Sequence, residues 1–150
     1  MKPIMVLLLS SLLLTGGSAT AQSDPFKALI AARSLKCQFG PGSFGKWSDS
    51  QVSVVNERMD SSLHFDSIDL KAGKARLVGN RGAADLIVWG TASGITFVEQ
   101  TGVGNVVFST VFPERIPGTD EFYAVMSRHM AMLSPPPLAS QYHGSCKVWQ

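Results

Sequence analysis

The sequence is poor in the residues that most directly announce chemistry. Cysteine occurs only at Cys37 and Cys146, too far apart for a C-x-x-C dithiol or a cluster of thiolate metal ligands. Three histidines, His64, His129 and His143, show no H-E-x-x-H or comparable ligand spacing, so no metal is expected, and no motif calls for a cofactor. The G-x-S-x-G elbow of a serine hydrolase is missing as well. Charge is scarce: 16% of residues are Asp, Glu, Lys or Arg, and the 13 basic residues are scattered among 11 acidic ones. Such a balance provides no footprint for nucleic acid or an anionic membrane.

Long apolar runs are confined to the beginning. Lys2, the apolar stretch Ile4 to Leu14 and the small residues Ala19-Thr20-Ala21 have the order of a cleavable signal peptide over residues 1–21. The run is shorter than the roughly 18 to 20 residues that span a bilayer, and no later stretch reaches that length. Residues 22–150 are therefore expected to form one exported domain, periplasmic or secreted, with no membrane span. Two cysteines in an oxidising compartment imply one disulfide, Cys37 to Cys146, tying the start of the domain to its end.

Asp24-Pro25 followed by Phe26, Leu29 and Ile30 has the cap, the first-turn proline and the apolar spacing of a short helix. Leu35, Cys37 and Phe39 alternate as a strand, and the glycine-rich segment Gly40 to Gly45 reads as a loop after it. Strand-like runs follow at Gln51 to Arg58, Leu63 to Leu70, Lys74 to Gly79, Ala84 to Gly90, Ile95 to Thr101 and Asn105 to Phe112. Turn residues such as Asp60-Ser61-Ser62, Ala72-Gly73 and Asn80-Arg81-Gly82 separate them. Turns at such short intervals favour consecutive hairpins over βαβ crossovers. The expected fold is all-β, an antiparallel up-and-down meander closing into a small β-barrel, compact or flattened, behind a short N-terminal helix.

Alternation places Val52, Val54, Leu63, Phe65, Leu77, Leu86, Val88, Ile95, Phe97, Val106, Phe108 and Phe112 in the interior. Ile87, Trp89, Val98, Val107 and Val111 make the opposite face apolar too, which calls for a second layer or for closure of the sheet on itself. Phe122 to Leu133 fits either a capped amphipathic helix or, over Phe122 to His129, another strand. The proline run 135–137 then leads to a final strand in Tyr142 to Trp149.

Four segments resemble recurring parts of short exported proteobacterial proteins of unknown function: Phe65 to Asp69, Thr96 to Glu99, Ser127-Arg128-His129, and Gln141 to Cys146. The resemblance covers most of the chain after the leader and brings no activity with it. It implies that Ser127-Arg128-His129 ends a strand.

Scarce charges collect at Asp66, Asp69, Glu99, Arg128 and His129, the candidate polar site. Two carboxylates among them suit acid–base hydrolysis if one is held neutral, and salt-bridged strand ends account for the same residues without chemistry. The Gly40 to Trp47 segment lacks phosphate-loop spacing, but Phe44 and Trp47 on it suit the mouth of a barrel or a partner surface. No catalytic residue is assigned. The expectation is a non-enzymatic binding module of the cell envelope, taking a small apolar ligand or a partner protein such as a lysozyme-type enzyme. The alternatives are a small envelope hydrolase using acidic residues and His129, and a structural envelope protein.

Overall fold

A computed structural model describes residues 24–79, 82–130 and 136–150. The expected leader lies outside these. In chain order the described elements are α1 (Pro25–Ile30), β1 (Leu35–Ser48), β2 (Gln51–Asp69), β3 (Lys74–Gly79), β4 (Gly82–Thr91), β5 (Gly94–Gln100), β6 (Val106–Arg115), β7 (Phe122–Met130) and β8 (Leu138–Val148). Each strand pairs antiparallel with the next, and β8 returns to pair with β1, so the hydrogen-bonded ring closes. The up-and-down meander expected from the turn spacing is present. Phe122 to His129 belongs to strand β7, as the resemblance implied.

Closure is locked where the ring begins and ends. Cys37 lies directly opposite Cys146 in the β1–β8 register, and the two form the expected disulfide. On the same seam Phe39 faces Gly144 and Gly42 faces Tyr142, each aromatic ring lying over a glycine on the neighbouring strand. A Cβ at Gly144 would overlap the Gln38 carbonyl oxygen, and one at Gly42 the Gln141 carbonyl oxygen. Only glycine fits such an approach.

Leu35, Cys37, Phe39, Phe65, Val88, Ile95, Phe97, Phe122, Met126 and Tyr142 point inward and are buried. Helix α1 packs at the end of the ring formed by β5 and β6. Asp24 starts it by accepting a 3.0 Å hydrogen bond from the Phe26 N–H, Pro25 occupies the first turn, and Leu29 is wholly buried. Among the described residues no helix is long and apolar enough to cross a membrane.

Several local expectations are overturned. The Gly40 to Gly45 segment is strand, not loop, with register shifts around Gly40 and Pro41 against both neighbours. Proline is compatible with a strand at such an irregularity because its missing N–H is not needed there. Asp60-Ser61-Ser62 is no turn either, since β2 runs unbroken through it. Pairing explains this: residues 51–63 of β2 are held by β1 alone, and β3 joins β2 only from His64 onward. The β1–β2 hairpin thus extends past the ring, turning at Asp49 and Ser50, whose φ angles of 48° and 69° are those of a two-residue hairpin loop.

That extension leaves Val52 and Val54 in solvent, where alternation had placed them inside. The facing of β6 is also reversed. Val107, Ser109 and Val111 point inward, whereas Val106, Phe108 and Phe112 do not form the buried row. Both faces of β6 carry large apolar residues, so alternation alone does not distinguish them. Ile87 and Trp89 have no covering layer among the described residues and remain 60% and 44% exposed.

Candidate functional site

Inside the ring, beyond the core packed against α1, lies a cavity of about 320 Å³. Its floor is built by Phe65 and Phe97, adjacent rings stacked 4.1 Å apart and nearly parallel, with Leu77 and Leu86 beside them. Moving in steps of two along β5 and β7 toward the hairpin end replaces this apolar lining with polar groups, while the lining from β2 stays mixed. Phe97 is followed by Glu99 and Thr101, Met126 by Arg128, and Phe65 by Leu63, Ser61 and Met59. The strand period of two that buries the floor also carries Glu99 and Arg128 into the lumen.

Their spacing follows from the register. Glu99 pairs with Val107 and Val107 with Arg128, so the two charged residues flank one intervening strand. They form no ion pair with each other. Arg128 instead directs Nη1 at the Met59 sulfur, 3.8 Å away. A thioether is a weak acceptor for a guanidinium with five donors.

A second polar contact bridges β8 and β2 over the intervening strand β1. Gly42 is opposite Glu57 on one side and Tyr142 on the other, and the Tyr142 hydroxyl passes over it to donate to the Glu57 carboxylate. Burial pushes the Tyr142 phenol above its usual value, and the bond to Glu57 raises it further. Together with the Met59–Arg128 contact, this bond fastens the base of the β1–β2 hairpin to the rim of the ring.

The other sequence candidates do not join the cavity. Asp66 follows inward-facing Phe65 and accepts a 3.0 Å hydrogen bond from the Ser67 hydroxyl. Asp69 accepts the Ala72 N–H at 2.9 Å and holds the β2–β3 turn. His129 stands edge-on to Phe108, 5.8 Å between ring centres, on the face opposite Arg128. The five-residue polar site is thus divided: Glu99 and Arg128 face the lumen, and Asp66, Asp69 and His129 do not line it. Phe44 is half-buried opposite Val55 and Ser140, whereas Trp47 is 45% exposed on the projecting hairpin.

Met59, Glu57 and Tyr142 were missed by sequence reasoning. Tyr142 shares the parity of Cys146 on one strand, a signal that would have placed it inside. The parity of Glu57 and Met59 with Phe65 was hidden by reading Asp60-Ser61-Ser62 as a break. Elsewhere, the Ser34 hydroxyl and His64 Nε2 lie 2.7 Å apart, and Lys36 sits 3.1 Å above the Trp149 ring. The first links the segment before β1 to β2, the second links β1 to the residues after β8, and neither contributes to the cavity lining.

A larger concavity, about 750 Å³, lies on the outer face beside Lys74, Arg76, Asp85 and Ile87. Its charged residues Lys74, Arg76 and Asp85 are exposed on the outside of the sheet, whereas the lumen sets its polar groups above a buried aromatic floor, so the lumen is the stronger site despite its smaller volume. Comparison with known proteins adds no assignment: no family model matches the chain, and no curated protein is significantly similar to it.

Proposed function

We infer that the protein is an exported, non-enzymatic binding module of the cell envelope whose barrel lumen holds a small molecule with an apolar body. The observation that carries this reading is the lumen itself, with Phe65 and Phe97 below and Glu99, Thr101 and Arg128 above. Specific small-molecule sites combine a mostly apolar enclosure with a few convergent polar groups, and begin near this size. The seam disulfide supports an oxidising compartment.

Calorimetric titration with 3-phenyl-1-propanol, a neutral apolar molecule of fitting size, tests the reading. A Kd of about 1 mM or tighter is expected, which corresponds to about 4 kcal/mol of binding free energy. Ser109 is buried and lines the lumen, so Ser109→Phe should fill the space and abolish binding. Equal binding by the folded variant would place the ligand outside the lumen.

A second reading, the capture of a partner protein such as a lysozyme-type enzyme, draws on the hairpin, where Trp47, Val52 and Val54 are exposed on one face. Exposed apolar clusters of this kind mark interaction surfaces. Inhibition of lysozyme by the protein, lost in Trp47→Ala, supports it; no inhibition across lysozymes of several types removes it.

A further inference from the structure

The lumen holds one positive and one negative side chain that do not neutralise each other. Arg128 has the Met59 sulfur as its hydrogen-bond acceptor, and the Glu99 carboxylate accepts no hydrogen bond from a described residue. The nearby Glu57 carboxylate is engaged by Tyr142. Both side chains are half-buried and neither has a charged partner among the described residues, so a ligand that pairs with both supplies an interaction the fold leaves open. A guanidinium fork fits a carboxylate; a carboxylate accepts from an ammonium group.

The geometry points to an apolar zwitterion of single amino-acid size as the ligand class, its carboxylate on Arg128, its ammonium on Glu99 and its side chain on the Phe65–Phe97 floor. This rests on the lumen reading above and adds the head group to it. The Glu99 and Arg128 backbones stand two strand spacings apart, about 10 Å. Both side chains line the lumen from opposite flanks of Val107, with the Arg128 guanidinium directed toward Met59 on β2, and the ligand spans the space between them. The 320 Å³ available is at the small end of the range for small-molecule sites, which suits a single apolar amino acid. A simple fatty acid would pair with Arg128 but face the like charge of Glu99, and an amine would meet the converse problem.

Four ligands sharing one apolar body separate these contributions: L-phenylalanine, 3-phenylpropanoate, 2-phenylethylamine and 3-phenyl-1-propanol. Calorimetric titration should show phenylalanine binding at least tenfold tighter than either singly charged compound. Glu99→Gln should remove its advantage over 3-phenylpropanoate, and Arg128→Met its advantage over 2-phenylethylamine. Both variants should still bind 3-phenyl-1-propanol, which shows that the lumen is intact. If the alcohol binds while phenylalanine gains nothing over the singly charged compounds, the head-group inference is overturned and the lumen reading stands. If none of the four binds, both fall.

Discussion

Tyr142 shows how one side chain joins the seam to the candidate site. It lies over Gly42 and donates to Glu57, a contact that needs the neutral phenol. Burial and this bond both hold the proton more firmly in the folded chain than in the unfolded one. The resulting stabilisation is complete below the ordinary phenol value of 10.0 and is lost as pH rises through the higher folded value. Tyr142→Phe should therefore cost about 1 kcal/mol at pH 8, the worth of one hydrogen bond, and should flatten the loss of stability above pH 10. Urea unfolding of both proteins at pH 8 and pH 11 checks this; parallel declines would show that other groups govern the alkaline limb. Gly144 is the complementary case. Because an added methyl would overlap the Gln38 carbonyl and the Phe39 ring, Gly144→Ala should cost about 3 kcal/mol, whereas the same change at Gly102, where a Cβ meets no atom within 4 Å, should cost under about 1 kcal/mol.

At the scale of elements, short strands separated by strong turn residues were legible in part, because Ala72-Gly73 does reverse the chain between β2 and β3. Three kinds of feature were not. Glycine and proline at residues 40–45 suggested a loop, but they serve close packing of β1 on β8 and a register shift, which depend on a neighbour more than 90 residues away in sequence. Polar Asp60-Ser61-Ser62 imitated a turn, although β2 continues there as an edge strand beside β1, with Ser61 lining the lumen and Asp60 exposed. On β6, apolar residues on both sides concealed the parity. The site was divided by the same logic: Glu99 and Arg128 share the parity of buried Phe97 and Met126, while Asp66 and His129 have the opposite parity, and linear proximity of charges carried no information about facing. Helix α1 was readable from its cap and proline, yet its six residues are too few to be stable alone. Its docking depends on Leu29, so Leu29→Ala should cost about 3 kcal/mol, the usual penalty for truncating a fully buried leucine, and chemical denaturation would register the change.

For the molecule as a whole, the ring has one seam where chain ends meet, and the seam is where connectivity gives least support. Every other pair of neighbouring strands is joined by the chain itself; β1 and β8 are joined by hydrogen bonds and by a disulfide between residues 109 apart in sequence. Restricting so long a loop in the unfolded chain is worth up to about 4.7 kcal/mol, a large share of the roughly 5 to 15 kcal/mol that stabilises an ordinary domain. The Cys37→Ala, Cys146→Ala double variant should still close, because hydrogen-bonded pairing continues from Leu35 to Phe39 on one side of the register shift and from Gly42 to Gly45 on the other. It should nevertheless open first at that seam. Hydrogen exchange of the oxidised protein should be slow along β1–β8 and fast at residues 46–54 of the hairpin, which only the partner strand of the ribbon holds. In the variant, protection should fall most at residues 35–39 and 144–148 while the β4–β5 and β5–β6 pairs keep a larger share. A uniform fall around the ring would mean that the barrel opens only by global unfolding, and that the disulfide acts on the unfolded chain alone.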